Sequence, residues 1–192
     1  MKIVGITYYD GTESIVLKSD SSLLVNRKPL FVPDAVSDLQ ALPCRVLRVS
    51  RLGKCIAPKF ASRYYDAVAQ GIDFFAADIL REAKAAGKPW TEAVAFENSL
   101  AVGEWIPVEG RQAANSRWML QRGGQTLELY TGLSENEQQV LDNAVAKVSE
   151  LLTIRQGDLI YVAGLEAPWQ LQTEDVLRAE SEGTETLYCK IK

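Results

Sequence analysis

The sequence predicts an α+β fold, because short strand-like segments outnumber helical ones and no linker-like segment divides its 192 residues. Apolar runs of strand length are separated by turn-forming pairs such as Asp10-Gly11 and Gly123-Gly124. Hydrophobic residues make up 47% of the chain, enough to build a substantial core. We therefore expect residues 1–192 to form a single mixed domain of strands with a few helices.

The first third of the chain is expected to form strands. Residues 2–8 and 14–18 are apolar runs on either side of Asp10-Gly11, a pair that favours tight hairpins. Two prolines bracket residues 30–32, which is typical of an edge strand or an extended connection. Residues 45–51 carry a weaker alternating pattern that indicates a half-buried strand.

The segment that follows these strands is expected to form two helices. Pro58 suits a first helical turn, and apolar residues share one helical face from there to Gly71. The alanine-rich residues 74–86 end at Gly87, a favourable C-terminal cap, and predict a second helix.

The second half of the chain is mostly strand-like, with one strong helix. Residues 135–152 predict that helix, with Ser134 and Glu137 as a capping box. The strand-like segments are residues 94–108, residues 117–121 and 126–130 as one hairpin, residues 159–163, and residues 176–179 and 186–191 as a closing hairpin.

Composition excludes several classes of function. The chain has no histidine, which rules out Ser-His-Asp and Cys-His mechanisms and histidine-ligated metal sites. A net charge of −4 argues against nucleic acid as a partner, and the longest apolar runs are too short to span a membrane. Three cysteines without metal-like spacing, and no signal-peptide pattern, predict a cytoplasmic protein. We expect Cys44, Cys55 and Cys189 to be small buried hydrophobic residues.

Two charged groups have alternative interpretations. The basic residues of the first third could bind an anion, but a solvated strand edge is the favoured interpretation; they are Arg45, Arg48, Arg51, Lys54 and Lys59. Asp73 and Asp78 lie at the start of a predicted helix, where carboxylates are favourable without any metal ion.

Five segments, in order, resemble the fumarylacetoacetate hydrolase family. Leu17-Lys18-Ser19-Asp20-Ser21-Ser22-Leu23-Leu24 is similar to its Lys-Pro-x-x-Ser-Leu-Leu segment, and residues 67–78 to a stretch that usually ends in Asp-x-(Ser/Thr)-Ala-Arg-Asp. The other three segments are residues 50–54, 89–107 and 148–160. The resemblance implies a mixed β-roll, usually a homodimer. It also implies enzymes that cleave, decarboxylate or isomerise acylpyruvate-type 2-oxo acids with a Mg²⁺-type ion held by two Glu and one Asp.

Carried onto this sequence, the resemblance indicates a degenerate site. The two metal-binding Glu positions fall on Leu42 and Cys44, while Asp73 keeps the third ligand position. The former substrate-pocket positions are Ala77, where the family has Arg, Asp78, and Val94, where it has a catalytic Lys. The family's Thr-Gly-Thr-Pro turn is replaced by Val162-Ala163-Gly164-Leu165.

Two hypotheses follow. The first is a catalytically silent family member, without a metal or catalytic residues, that binds a small molecule, a paralogue or a second copy of itself. The alternative is a residual or altered hydrolase, decarboxylase or isomerase of acylpyruvate-type 2-oxo acids. In that case Asp73 would remain a ligand for Mg²⁺ or Mn²⁺, or would join Cys44 around a softer metal such as zinc or iron.

Overall fold

A computed structural model of the protein describes residues 1–9, 11–108, 116–131, 136–163 and 167–192. It confirms the predicted α+β class: a mixed sheet curls into a half-barrel, and a few helices pack against it. None of the helices in these ranges is both long and apolar enough to cross a membrane.

The larger sheet runs in the order β2-β1-β10-β4-β5-β6-β3, with β11 on β4 and β7 on β5. Its strands are β1 Ile3–Thr7, β2 Ser14–Lys18, β3 Leu23–Val25, β4 Leu39–Val49, β5 Tyr65–Ala76, β6 Leu100–Val102, β7 Ile106–Pro107, β10 Leu159–Ala163 and β11 Trp169–Gln170. The pairs β1–β10 and β3–β6 are parallel, and the other pairs are antiparallel.

A second, antiparallel sheet has the order β13-β12-β8-β9. Its strands are β8 Ser116–Arg122, β9 Gln125–Tyr130, β12 Val176–Ser181 and β13 Thr184–Lys190. The helices are α1 Ala77–Ala85, α2 Thr91–Val94 and α3 Glu137–Leu151, with short 3₁₀ helices at Asp20–Ser22 and Pro58–Arg63.

The long hairpin of β4 and β5 lies at the centre of the fold, and both of its faces are packed. Successive side chains along each strand point to opposite faces. One face packs with β1, β2 and β10 under helices α1 and α2. The other face is covered by α3 at one end and by the second sheet at the other. Both faces are buried, which explains why these strands lack the simple alternation of polar and apolar residues.

The predicted helix from Pro58 to Gly71 is wrong. Only Pro58–Arg63 is helical, as a 3₁₀ turn, and the chain then enters β5. The apolar residues that suggested a helical face occupy a strand buried on both sides, where periodicity does not separate the two structures. β4 also begins six residues before the predicted strand, and α1 begins at Ala77 rather than at residue 74.

The remaining elements agree more closely with expectation. The two N-terminal strands, the hairpin of β8 and β9, the strand β10 and the hairpin of β12 and β13 are confirmed. The long helix is confirmed as α3, but Ser134 of its predicted capping box lies outside the described residues, as does Asp10. Residues 30–32 form an extended connection with a single bridge from Leu30 to Ile191.

The interpretation of the basic cluster as a solvated strand edge is wrong for Arg45, whereas Arg51, Lys54 and Lys59 are exposed. Arg45 lies on β4 between two neighbouring strands, and its side chain is only 2% exposed. Its guanidinium donates hydrogen bonds to Glu137 and Ser116 and lies 4.8 Å from the Trp118 ring centroid. Arg45 therefore links α3 to the second sheet through the core.

The cysteines agree with expectation only in part. Cys55 is exposed, whereas Cys44 and Cys189 are buried as expected.

Candidate active site

The three positions that the family resemblance assigns to metal ligands lie side by side on β4 and β5. Leu42 is the cross-strand partner of Asp73, and Cys44 is the partner of Gly71. Register partners share a face, so these side chains point into the same core beneath α1 and α2. A glycine is required at position 71, because the Cβ atom of any other residue would lie only 2.8 Å from the Cys44 sulfur.

Lys18 supplies the positive charge of this region. Its ammonium nitrogen lies 2.6 Å from Asp73 Oδ1, and neither side chain is exposed to solvent. The same ammonium donates to the Ser99 carbonyl oxygen at 2.9 Å and to Ser99 Oγ at 3.1 Å. The three N–H groups of the ammonium therefore each have an oxygen acceptor, which is what a fully buried lysine requires.

Two hydroxyl groups complete the surroundings of Asp73. The Tyr9 hydroxyl donates to Asp73 Oδ2 at 2.9 Å, and Thr7 Oγ1 lies 3.5 Å from the same oxygen. The Tyr9 ring packs on Phe75, with 4.6 Å between ring centroids. We call Lys18, Asp73, Tyr9 and Ser99 the buried cluster.

Burial sets the protonation of these groups. It raises the pKa of Asp73, although the Lys18 charge and the hydrogen bonds from Lys18 and Tyr9 oppose the change. It lowers the pKa of Lys18, against the pull of the Asp73 charge. Burial and the Asp73 charge raise the pKa of Tyr9 and of the Cys44 thiol well above their usual ranges. Tyr9 is therefore a neutral phenol at pH 7, and Cys44 a protonated thiol.

A cleft adjoins the buried cluster. It has a volume of about 310 Å³ and is lined by Ile15, Val16, Leu17, Pro89, Trp90, Thr91 and Val94. Trp90 meets the Tyr9 ring edge-on, with the centroids 6.5 Å apart. The Val94 carbonyl oxygen lies 3.4 Å from Ser99 Oγ, which also contacts Lys18. The cleft wall thus touches the cluster through both Tyr9 and Ser99.

The other predicted pocket positions are divided between the core and the surface. Ala77 and Val94 belong to the same buried core as Leu42 and Cys44. Asp78 instead accepts hydrogen bonds from the Ser37 backbone N–H and hydroxyl, at 2.8 and 2.5 Å, and these bonds outweigh partial burial and lower its pKa. Asp78 therefore fixes the first turn of α1. Gly164 and Leu165, in the altered turn, lie outside the described residues.

Comparison with known proteins decides the family. The sequence model described as "Fumarylacetoacetate (FAA) hydrolase C-terminal" matches residues 8–192. The chain belongs to the fumarylacetoacetate hydrolase family.

Several proteins with similar sequences or folds are named as enzymes. The mouse mitochondrial oxaloacetate tautomerase FAHD1 is 24% identical over 200 residues, covering 98% of this chain and 90% of that protein. A solved family member from Yersinia pestis has a TM-score of 0.84 at 19% identity, covering 100% of this chain and 92% of its own. Fumarylpyruvate hydrolase from Pseudomonas aeruginosa, solved with Mn²⁺ and pyruvate, has a TM-score of 0.81 at 17% identity, covering 99% and 88%.

These relatives contradict the hypothesis of a catalytically silent member. The mouse relative, which is similar to this chain over almost its whole length, is named as a tautomerase. The Pseudomonas structure is that of a hydrolase. The hypothesis of an altered enzyme agrees better with them. The missing charged residues at Leu42, Cys44, Ala77 and Val94 are a weak argument for silence, because Lys18, Asp73 and Tyr9 still bring polar groups together in this region.

The residues of this site do not suit a divalent metal ion of the family's kind. Of the three ligand positions, Asp73 alone carries a carboxylate, and its two oxygens are already bound by the Lys18 ammonium and the Tyr9 hydroxyl. Leu42 has no ligand atom, and the Cys44 thiol is protonated. Among the described residues, no three His, Cys, Asp or Glu side chains lie together so that they could hold a metal ion.

Lys18 and Tyr9 are site residues that were not predicted from the sequence. The signal for Lys18 was strand alternation: in β2, Val16 and Lys18 are buried while Leu17 is 54% exposed. A lysine on the inward face of a strand needs a buried partner, and Asp73 is that partner. No such signal existed for Tyr9, since it lies after β1 and reaches Asp73 only through the tertiary fold.

Proposed function

We propose that the protein is an enzyme that carries out acid–base chemistry on acylpyruvate-type 2-oxo acids: tautomerisation, decarboxylation or hydrolysis. The observation that carries this proposal is the buried cluster, in which Lys18, Asp73 and Tyr9 join beside a cleft. The names of the mouse and Pseudomonas relatives support the choice of substrate class. Oxaloacetate tautomerisation is the first reaction to test.

The cluster can move protons in the way that keto–enol tautomerisation requires. In the enol-to-keto direction, the Tyr9 oxygen accepts the enol proton while Tyr9 passes its own proton to Asp73. The substrate carbon takes a proton from water, and the hydroxide left behind is neutralised by the proton returned from Asp73 through Tyr9. Lys18 acts as a positioning residue, since its charge holds Asp73 as a carboxylate until the proton arrives.

The cleft gives this chemistry a place for a small substrate. Its volume of about 310 Å³ is at the lower end of the range found for ligand pockets. Trp90 and Val94 form the part of the wall in contact with the cluster. A small 2-oxo acid bound against Trp90 would lie next to Tyr9, with Ile15, Val16 and Leu17 of β2 lining another part of the cleft.

The test is a set of rate measurements with oxaloacetate and several acylpyruvates. We expect the wild-type protein to accelerate enol–keto conversion of oxaloacetate above the buffer rate. Tyr9→Phe should lower kcat at least about 100-fold with little change in KM, since it removes a proton carrier and keeps the ring. Tyr8→Phe is the matched control, because the Tyr8 hydroxyl binds Glu13 at the surface.

Two outcomes would contradict the proposal. No acceleration with any of these 2-oxo acids would exclude the substrate class. Acceleration that Tyr9→Phe leaves unchanged would place the chemistry elsewhere in the molecule.

We further propose that the protein acts in a reducing compartment such as the cytoplasm. All three cysteines are free thiols, which supports this location. Homodimerisation stays a prediction from the family resemblance, and light scattering of the purified protein would test it.

A further inference from the structure

We propose that the cleft beside the buried cluster selects its substrate by charge: it favours a 2-oxo acid whose remaining arm is apolar over one that carries a second carboxylate. This inference rests on the proposed function, because it concerns the substrate of the same site. Its basis is the lining of the cleft, to which no residue that the structure describes brings a charged side chain. Thr91 supplies a hydroxyl and Trp90 an indole N–H, and the other side chains of the lining are aliphatic.

Two lysines close to the cleft are already engaged. Lys18 follows Leu17 in β2, but its ammonium pairs with Asp73 in the core at 2.6 Å, without solvent exposure. The Lys84 ammonium lies 4.8 Å from the Trp90 ring centroid, and Lys84 does not line the cleft. A carboxylate that enters the cleft therefore leaves water without gaining a cation as its partner, which is unfavourable for any buried charge.

The polar backbone groups of the cleft are neutral as well. Within the described ranges, β2 pairs with β1 on one side and with no strand on the other. An edge strand leaves alternate backbone N–H and C=O groups without strand partners. These groups and the Thr91 hydroxyl can hydrogen-bond a carbonyl or enol oxygen. None of them carries the full positive charge that balances a buried carboxylate.

The first carboxylate of the substrate has a place outside the apolar part of the cleft. Leu17 is 54% exposed and Thr91 is also exposed, so the rim of the cleft meets solvent. A 2-oxo acid can keep its carboxylate in water at this rim while its arm packs against Trp90 and Val94. A second carboxylate, at the far end of the arm, would lie against these apolar side chains.

Binding of two 2-oxo acids of similar shape tests the inference without turnover. 2-Oxoglutarate and 5-methyl-2-oxohexanoate differ only at the far end of the arm, where a carboxylate is replaced by an isopropyl group with the same number of non-hydrogen atoms. Neither compound is an acylpyruvate, so neither is cleaved during the titration. By isothermal titration calorimetry, we expect the isopropyl compound to bind the wild type at least about tenfold more tightly.

A cation placed at the rim should change this preference. Leu17→Arg replaces an exposed cleft residue and should tighten binding of 2-oxoglutarate by about two- to fivefold, as expected for an exposed ion pair. It should not tighten binding of 5-methyl-2-oxohexanoate. Leu127→Arg is the matched control, because Leu127 is 48% exposed on β9 of the other sheet. This control should leave both affinities unchanged.

Three results would overturn the inference. Binding of 2-oxoglutarate as tight as that of the isopropyl compound would show that the cleft accepts a second carboxylate, and its loss in Lys84→Met would identify Lys84 as the partner. No binding of either compound up to about 10 mM would show that the cleft does not hold the arm of a 2-oxo acid. An unchanged affinity of Leu17→Arg for 2-oxoglutarate would place the arm elsewhere. The proposed function fails separately, through the absence of acceleration in the rate measurements.

Discussion

Lys18 and Asp73 form an ion pair with an N–O distance of 2.6 Å and no solvent exposure on either side chain. Lys2 and Asp158 form a pair of the same length at the edge of the molecule. The N–O distance alone therefore does not distinguish the two ion pairs. They differ in solvent exposure, because a fully buried charge that loses its partner has no water to replace it, whereas the Lys2 side chain is 32% exposed.

The first prediction concerns Asp73→Asn. It removes the carboxylate but keeps an acceptor for Tyr9, so the main consequence is an unpaired ammonium in the core. We expect a loss of about 3–5 kcal/mol in the free energy of unfolding, as found when one partner of a buried pair is removed. Urea denaturation followed by tryptophan fluorescence measures it.

Two comparisons test the cause of that loss. Asp66→Asn breaks a pair with Arg48 in which both side chains are more than 40% exposed, and it should cost at most about 1 kcal/mol. Lys18→Met combined with Asp73→Asn removes the unpaired charge and should be more stable than Asp73→Asn alone. Equal stability of these two variants would show that the buried ammonium is not the source of the loss.

The second prediction concerns stability in acid. Partial burial acts to raise the pKa of Asp158, but hydrogen bonds from the Lys2 side chain and backbone and from the Arg155 N–H outweigh it and lower the pKa. A carboxyl whose pKa is lower in the folded state stabilises the fold above its unfolded pKa of about 3.9. That contribution is lost as pH falls through the folded pKa.

Asp158→Asn should therefore lower the Tm at pH 7 and have a diminishing effect as the pH falls below about 4. Thermal unfolding of both proteins across this range measures the difference. A Tm difference that stays constant from neutral to strongly acidic pH would contradict the assignment of the shift to Asp158.

Local sequence signals predicted the outer parts of the fold better than its centre. The hairpin of β8 and β9 and the helix α3 have turn residues or one apolar face, and both are placed correctly. β5 is buried on both faces, so its apolar residues follow no two-residue period, and residues up to Gly71 resembled a helix. Tertiary pairing determines that strand, with β4 over eleven residue pairs and with β6 and β7 on its other side.

The candidate site shows a similar division. Aligning the family's ligand positions identified Asp73, Leu42 and Cys44, which the structure places on adjacent strands. The alignment also places Lys18 on the lysine of the family's Lys-Pro segment, but nothing in the sequence indicates that this lysine contacts Asp73. Lys18 comes from β2, 55 residues before Asp73, and only the folded sheet brings its charge into the core.

The third prediction concerns metal removal. Because the two oxygens of Asp73 are already bound by Lys18 and Tyr9, dialysis against EDTA should leave both the rate of 2-oxo acid conversion and the Tm unchanged. The Mn²⁺-containing Pseudomonas enzyme is the parallel control, treated in the same buffer. A fall in rate that added Mn²⁺ or Mg²⁺ restores would contradict metal independence.

The fourth prediction concerns Gly5, which lies opposite Tyr161 in the parallel pair of β1 and β10. A Cβ atom at Gly5 would lie 2.1 Å from the Tyr161 ring, which is fully buried and lies 5.8 Å from the Lys18 ammonium, measured to the ring centroid. The ring is held between the strand and the cluster and cannot move aside cheaply. Gly5→Ala should destabilise the protein by about 1–3 kcal/mol, the usual effect of overpacking a core.

A second variant separates this clash from a general effect of alanine at Gly5. Tyr161→Leu removes the ring atoms that the new methyl group would meet, so Gly5→Ala should cost less in that background than in the wild type. Urea denaturation of the four proteins gives the coupling energy directly. Additive effects of the two substitutions would show that the Tyr161 ring is not what requires glycine at this position.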